Sequence, residues 1–194
     1  MHRLPKTLMM GVTLALTAAA CETEGPLDRT AAFWFRATVT GTVQADYHGG
    51  GDFQVGADSR LGGALAFALF SASEEAGARQ SFSLQRVGST LPARGIYPIT
   101  LKDGFTAQYL REVDRTLQAF VARSGELEIT HSSAERVEGR FRLVGFQYCA
   151  RDLKGGRVPE GPCRIPEAII PDAPIIEISG SFRAGPASSQ EFPR

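Results

Sequence analysis

The chain has 194 residues, with 21 Lys+Arg against 21 Asp+Glu and a formal net charge of zero. That length suits one domain with a sizeable core, and the charge balance gives no electrostatic case for nucleic acid or an acidic lipid surface. Twenty-one Gly, twelve Phe and no long helical pattern point instead to β structure.

The chain opens with Arg3 and Lys6, followed by an apolar run of thirteen residues, Leu8 to Ala20. A helix spanning a bilayer needs ~20 apolar residues, so this run has the length of a signal-peptide core. Ala18-Ala19-Ala20 supplies the small side chains a signal peptidase admits, and Cys21 follows at once. The arrangement resembles the lipobox of bacterial lipoproteins, with Ala18 where that family usually has Leu. The resemblance implies removal of residues 1–20 and acylation of Cys21, leaving a protein held to the membrane through its N-terminal lipid. Two or three acyl chains, at about 0.8 kcal/mol per buried CH₂, anchor stably. Cleavage would remove two basic residues and no acid; 21 less two against 21 leaves a formal charge of −2. The expected location is the cell envelope, at the outer membrane facing the periplasm or the surface.

Residues 21–31, polar with Gly and Pro, read as a tether, and residues 32–185 as an all-β domain. Phe33, Phe35, Ala37, Val39, Val43, Ala45 and Tyr47 share one parity and polar residues the other, which predicts one long half-buried strand interrupted at Gly41. His48-Gly49-Gly50-Gly51-Asp52 is a turn. It resembles the HGGG oxyanion segment of lipases, but no Ser stands in G-x-S-x-G to serve as nucleophile. Asp46, His48 and Asp52 are the weak candidates for a metal site; a Gly- and Asp-rich loop is the competing reading.

Ala64 to Phe70 is apolar on both parities and predicts a fully buried strand, followed by a polar excursion with room for one helical turn. Phe82 and Leu84 alternate with polar residues in another strand. Ile96 to Leu101 carries Pro98, which marks an edge strand, and Asp103-Gly104 predicts a two-residue hairpin into Phe105–Leu110. Arg111 to Arg115 reads as a charged connection. Leu117 to Ala122 is a strand that Ser124-Gly125 turns into Leu127–His131, with His131 on the inward parity. Pairing Leu127 with Phe141 and Ile129 with Gly139 sets Glu128 opposite Arg140 and Glu126 opposite Arg142, a register that suits the outer face.

Cys149 and Cys163 flank a polar Gly/Pro-rich insertion, as a disulfide closing a loop of about fifteen residues would, worth ~3 kcal/mol in the chain-entropy model. Ile176 to Ala184 predicts a last strand, and residues 186–194 a frayed tail. Gly41, Gly139 and Gly180 each precede an apolar residue by two, a pattern that places Gly at bends with an aromatic covering it.

These readings converge on a single antiparallel β-barrel or β-sandwich of about eight to ten strands. Ser124–Thr130 (SGELEIT) and Val137–Phe141 (VEGRF), together with the leader, resemble small uncharacterised lipoproteins of Gram-negative bacteria. No catalytic set is visible, since only two His follow the leader. Glu126 with Glu128 and Glu74 with Glu75 are paired carboxylates by spacing, on a solvated strand face and in a loop. The chain therefore reads as a non-enzymatic envelope lipoprotein binding a partner, without cofactor. Two alternatives stand beside it: a barrel holding a small apolar ligand lined by Phe67, Phe82, Phe105 and Phe141, and a hydrolase with an unrecognised site.

Overall fold

The computed structural model describes residues 32–58, 65–75, 78–88, 90–152 and 169–187. Ten strands follow in order: β1 (Trp34–Gly41), β2 (Ala45–Gly49), β3 (Asp52–Asp58), β4 (Leu65–Glu75), β5 (Ala78–Val87), β6 (Gly95–Ile99), β7 (Thr106–Val113), β8 (Thr116–Ser132), β9 (Val137–Asp152) and β10 (Ile175–Pro186). The fold is all-β, without a helix among the described residues.

Seven strands close on themselves: β3, β4, β5, β7, β8, β9 and β10 pair in that order, and β10 returns to β3. A ring of seven strands requires one parallel neighbour pair, and this is the β10–β3 seam, of two residue pairs only (Gly185 with Asp52, Pro186 with Phe53). β1 pairs with β10 beside that seam, β2 pairs with β1, and β6 pairs with β8. Closure leaves few unpaired edges, which is the advantage of a barrel.

Several sequence expectations change once the strands are paired. The long alternating signal from Phe33 to Tyr47 is two strands folded at Gly41, whose φ is 102°. The parity survives because Ala37 pairs with Tyr47 and Val39 with Ala45, so both halves face the core. The excursion after Phe70 is not a helical turn: β4 runs on to Glu75 and pairing resumes at Ala78. Ser124-Gly125 does not turn the chain either. β8 passes straight through, with a bulge between Ala122 and Ser124 that leaves Arg123 as the extra residue. Pro186, expected in a frayed tail, instead pairs with Phe53 at the closing seam; residues 188–194 lie outside the described residues.

The hairpin expected at Asp103-Gly104 lies elsewhere. β6 and β7 both run antiparallel to β8, one after the other, so residues 95–113 form a single strand line broken by a loop. Within that loop Phe105 N–H donates to the Pro98 carbonyl (2.9 Å) and Thr100 N–H to the Phe105 carbonyl (2.8 Å). Phe105 is then free to bury its ring against Tyr97, at 5.5 Å. The two-residue hairpin is Asp114-Arg115, with φ of 49° and 62°, the left-handed pair that a I′ turn needs.

The predicted β8–β9 register is found: Leu127 faces Phe141, Ile129 faces Gly139, Glu128 faces Arg140 and Glu126 faces Arg142. Arg140 Nε reaches Glu128 Oε2 at 2.5 Å, whereas Arg142 turns the other way to Glu177 of β10, at 3.5 Å. The Gly–aromatic pattern has a physical basis. Gly139 pairs with Phe182 and Gly180 with Phe141, so each glycine is covered by the other strand's ring. A Cβ would stand 2.9 Å from Phe182 Cζ at Gly139 and 2.8 Å from Phe141 Cζ at Gly180, closer than atoms pack.

With those glycines making room, Phe35, Phe82, Phe141 and Phe182 gather at the centre of the core; Phe35 lies 5.0 Å from Phe82, and Phe82 4.9 Å from Phe141. Among the residues expected to line a ligand cavity, Phe82, Phe105 and Phe141 are core residues in contact with neighbouring rings; the Phe67 side chain lies outside the described part. The space between Phe82, Tyr109, Phe120, Leu143 and Ile178 admits no water-sized sphere. The interior here is packed solid, as protein cores are.

Candidate functional site

An open groove of about 490 Å³ lies where the start of β1, the β8–β9 turn and β10 meet. Its position follows from three local features. The first is a bulge in β8. Ile129 pairs with Gly139 but His131 pairs with Glu138, so one extra residue intervenes. His131 is thereby taken off the inward parity that the sequence assigned it, and it lines the groove, half-buried.

The second is the turn Ser133–Arg136, closed by Ser133 N–H to the Arg136 carbonyl (2.8 Å) and by Arg136 N–H to Ser133 Oγ (3.2 Å). It presents Glu135 at the rim, fully exposed. The Ser133 hydroxyl holds the Glu135 carboxyl below the usual carboxylate range, helped by the residue's own backbone N–H and by His131.

The third is the seat for Phe33. Its ring lies so close over Gly185 that a Cβ there would collide with three ring carbons. The groove thus has an aromatic wall beside Ala32, faced by the polar and charged side chains of His131, Ser133, Glu135, Arg136 and Arg183.

Arg183 of β10 stands opposite Glu138 of β9. Its Nε donates to Glu138 Oε1 at 2.8 Å. Arg136 Nε lies 3.1 Å from the same oxygen, as an ion pair without the alignment of a hydrogen bond. One carboxylate oxygen therefore serves two guanidinium groups, while Glu135 on the rim adds a second carboxylate that balances the formal charge of the lining. The sequence reading missed this cluster. Its signal was present in the Gly–Phe pattern, because pairing Gly139 with Phe182 places Glu138 opposite Arg183.

A second polar cluster lies inside the barrel. Tyr109 donates to Gln80 Oε1 at 2.5 Å, and both residues are buried. The Tyr47 hydroxyl and Ser71 Oγ are buried and make no hydrogen bond of good geometry. Burial pushes Tyr47 up to about 12, with the neighbouring Ser71 opposing, and pushes Tyr109 up to about 12, with Arg111 opposing. These phenols stay neutral at physiological pH, and no base lies in hydrogen-bond contact with either. The cluster has the character of a specificity device in the core rather than of a reactive centre.

The residues singled out from sequence fare differently. Asp46 and His48 share the outer face of β2, as their parity implied; Asp46 accepts from Thr38 Oγ1 at 3.3 Å. Asp52 is exposed at the start of β3. The three are not gathered, and among the described residues no three His, Cys, Asp or Glu side chains are placed to hold a metal. Gly49, in the HGGG segment, sits tightly against the Ala72 carbonyl and Ser71 Oγ of β4, a packing position. Cys149 is disulfide-bonded, near the end of β9. Cys21, Cys163, the tether and the leader lie outside the described residues. No helix among those residues is long and apolar enough to cross a membrane.

Comparison with protein families, with curated proteins and with solved structures found no match to this chain.

Proposed function

We propose that the protein is an exported lipoprotein of the cell envelope, tied to the membrane through acylated Cys21, whose β-barrel binds a partner at its surface and carries out no reaction. The leader supports the first half: Arg3, Lys6, the apolar run to Ala20 and Cys21 are the parts that export and acylation require. The contrast between interior and exterior supports the second half. The aromatic core is filled, whereas the charged groove between Phe33 and Arg183 is open to solvent. A carrier of small apolar molecules needs a lined cavity of several hundred Å³, which the packing around Phe82 does not offer. In an oxidising compartment Cys163 is the natural partner of Cys149, leaving Cys21 for the lipid.

The test is Cys21→Ser with membrane fractionation and labelling by a palmitate analogue. Loss of label and release from the membrane are expected; an unchanged membrane fraction would overturn the anchor. Crosslinking in the native envelope followed by mass spectrometry then identifies the partner.

A further inference from the structure

The groove holds the makings of an oxyanion site. Arg136 and Arg183 approach the same oxygen of Glu138 from two different elements, the β8–β9 turn and β10. The Arg136 Nε is buried from solvent and finds no hydrogen bond there. His131 lines the same groove, and Phe33 gives it an apolar side. Guanidinium groups on separate elements suit an acceptor with more than two oxygens, and phosphate has the oxygens to bridge them. Glu135 and Glu138 balance Arg136 and Arg183 in formal charge, and the chain as a whole is neutral. A general attraction to anionic surfaces is therefore not the basis of recognition.

We propose that the groove formed by Phe33, His131, Arg136 and Arg183 binds a single phosphate group, and that the phosphate belongs to a phospholipid headgroup. The place of the groove in the chain favours this source. Ala32 and Phe33 line it, and they follow directly on residues 21–31. A tether of eleven residues reaches at most about 40 Å, so an anchored domain keeps this opening near the bilayer. The ring of Phe33 lies beside the charges, as suits a headgroup whose glycerol and acyl chains begin next to its phosphate. The lipid source rests on the anchored reading above; the phosphate chemistry does not.

Trp34 is the one tryptophan in the chain, adjacent to Phe33 and with the Arg36 guanidinium 5.4 Å from its ring. Its fluorescence reports on the groove in the full-length, disulfide-intact protein held in neutral detergent. Three probes are titrated: dihexanoyl phosphatidylglycerol, dihexanoyl phosphatidylcholine and glycerol phosphate. Saturable binding of phosphatidylglycerol in preference to the other two is expected. Arg136→Gln and Arg183→Gln should each weaken it about fivefold. Glu138→Gln, which releases both arginines from their carboxylate, should strengthen it. The opposite signs separate binding from loss of fold, and circular dichroism melts of each variant check the latter. Equal affinity for glycerol phosphate would move the assignment to a free phosphate and overturn the lipid source. Absence of a saturable change with any probe, or one that Arg183→Gln leaves intact, would overturn the site. If the titration succeeds while Cys21→Ser stays in the membrane, the site stands and the anchor falls.

Discussion

Two tyrosines in one core carry opposite consequences. The Tyr109 hydroxyl satisfies Gln80, so Tyr109→Phe strands a buried amide and should destabilise by about 1–3 kcal/mol. The Tyr47 hydroxyl is buried without a hydrogen bond, so Tyr47→Phe should stabilise by about 1 kcal/mol. At this chain length that is a rise in Tm of about 2–4 °C. Thermal melts of the two variants should move in opposite directions. The same burial sets an alkaline limit. Both phenols have folded pKa values raised from 10 to about 12. Above pH 10 the unfolded chain gives up these protons while the folded chain keeps them, so the unfolded state binds fewer. Stability is therefore full below pH 10 and falls as pH rises from 10 towards 12. A series of melts across that window should show the loss, and Tyr47→Phe should reduce it.

At the scale of the element, the turns separate what composition suggests from what pairing imposes. Asp103-Gly104 has the favoured hairpin dipeptide, yet it stands in a loop between two strands that share one neighbour. Asp114-Arg115 lacks glycine and forms the I′ turn, because Val113 and Thr116 are held in register by β5, β8 and β9 around them. Arg115 bears the strain, at φ 62°. A left-handed residue costs about 1–2 kcal/mol, part of which glycine would return as entropy. Arg115→Gly should thus stabilise by about 0.5–1 kcal/mol, seen as a higher urea midpoint with an unchanged slope. The β8–β9 register was legible from sequence because apolar and charged patterns agreed on it. The bulge before His131 was not, since an extra residue leaves no mark in a parity count.

For the molecule as a whole, closure is uneven. β8 and β9 pair along most of their length, whereas the parallel seam between β10 and β3 has two residue pairs. Gly185 N–H to the Gly51 carbonyl (3.1 Å) and Ala187 N–H to the Phe53 carbonyl (2.8 Å) hold it. Opening there exposes little core, so it needs less free energy than global unfolding. Amide hydrogen exchange should accordingly release Gly185 and Ala187 well before Leu127 and Ile129. Equal protection at both places would show that the barrel opens only as a unit. The groove lies beside this seam, with Phe33 seated on Gly185, so a phosphate ligand that holds Arg183 should slow exchange at Gly185 as well.

The sequence by itself determined the β class, the inward face of most strands and the β8–β9 register, because period-two alternation and cross-strand charge are local properties of short stretches. It also marked Gly139 and Gly180 as positions that an aromatic would cover, but not that the rings would be Phe182 and Phe141 of the facing strand. Tertiary structure alone decided that β6 and β7 lie end to end, that an odd ring closes through one parallel seam, and that His131, Arg136 and Arg183 converge around Glu138. Those features depend on which strands become neighbours across tens of residues, 45 between Glu138 and Arg183 and more at the seam of Gly185 with Asp52. A single chain pattern repeats every two residues and carries no record of that choice.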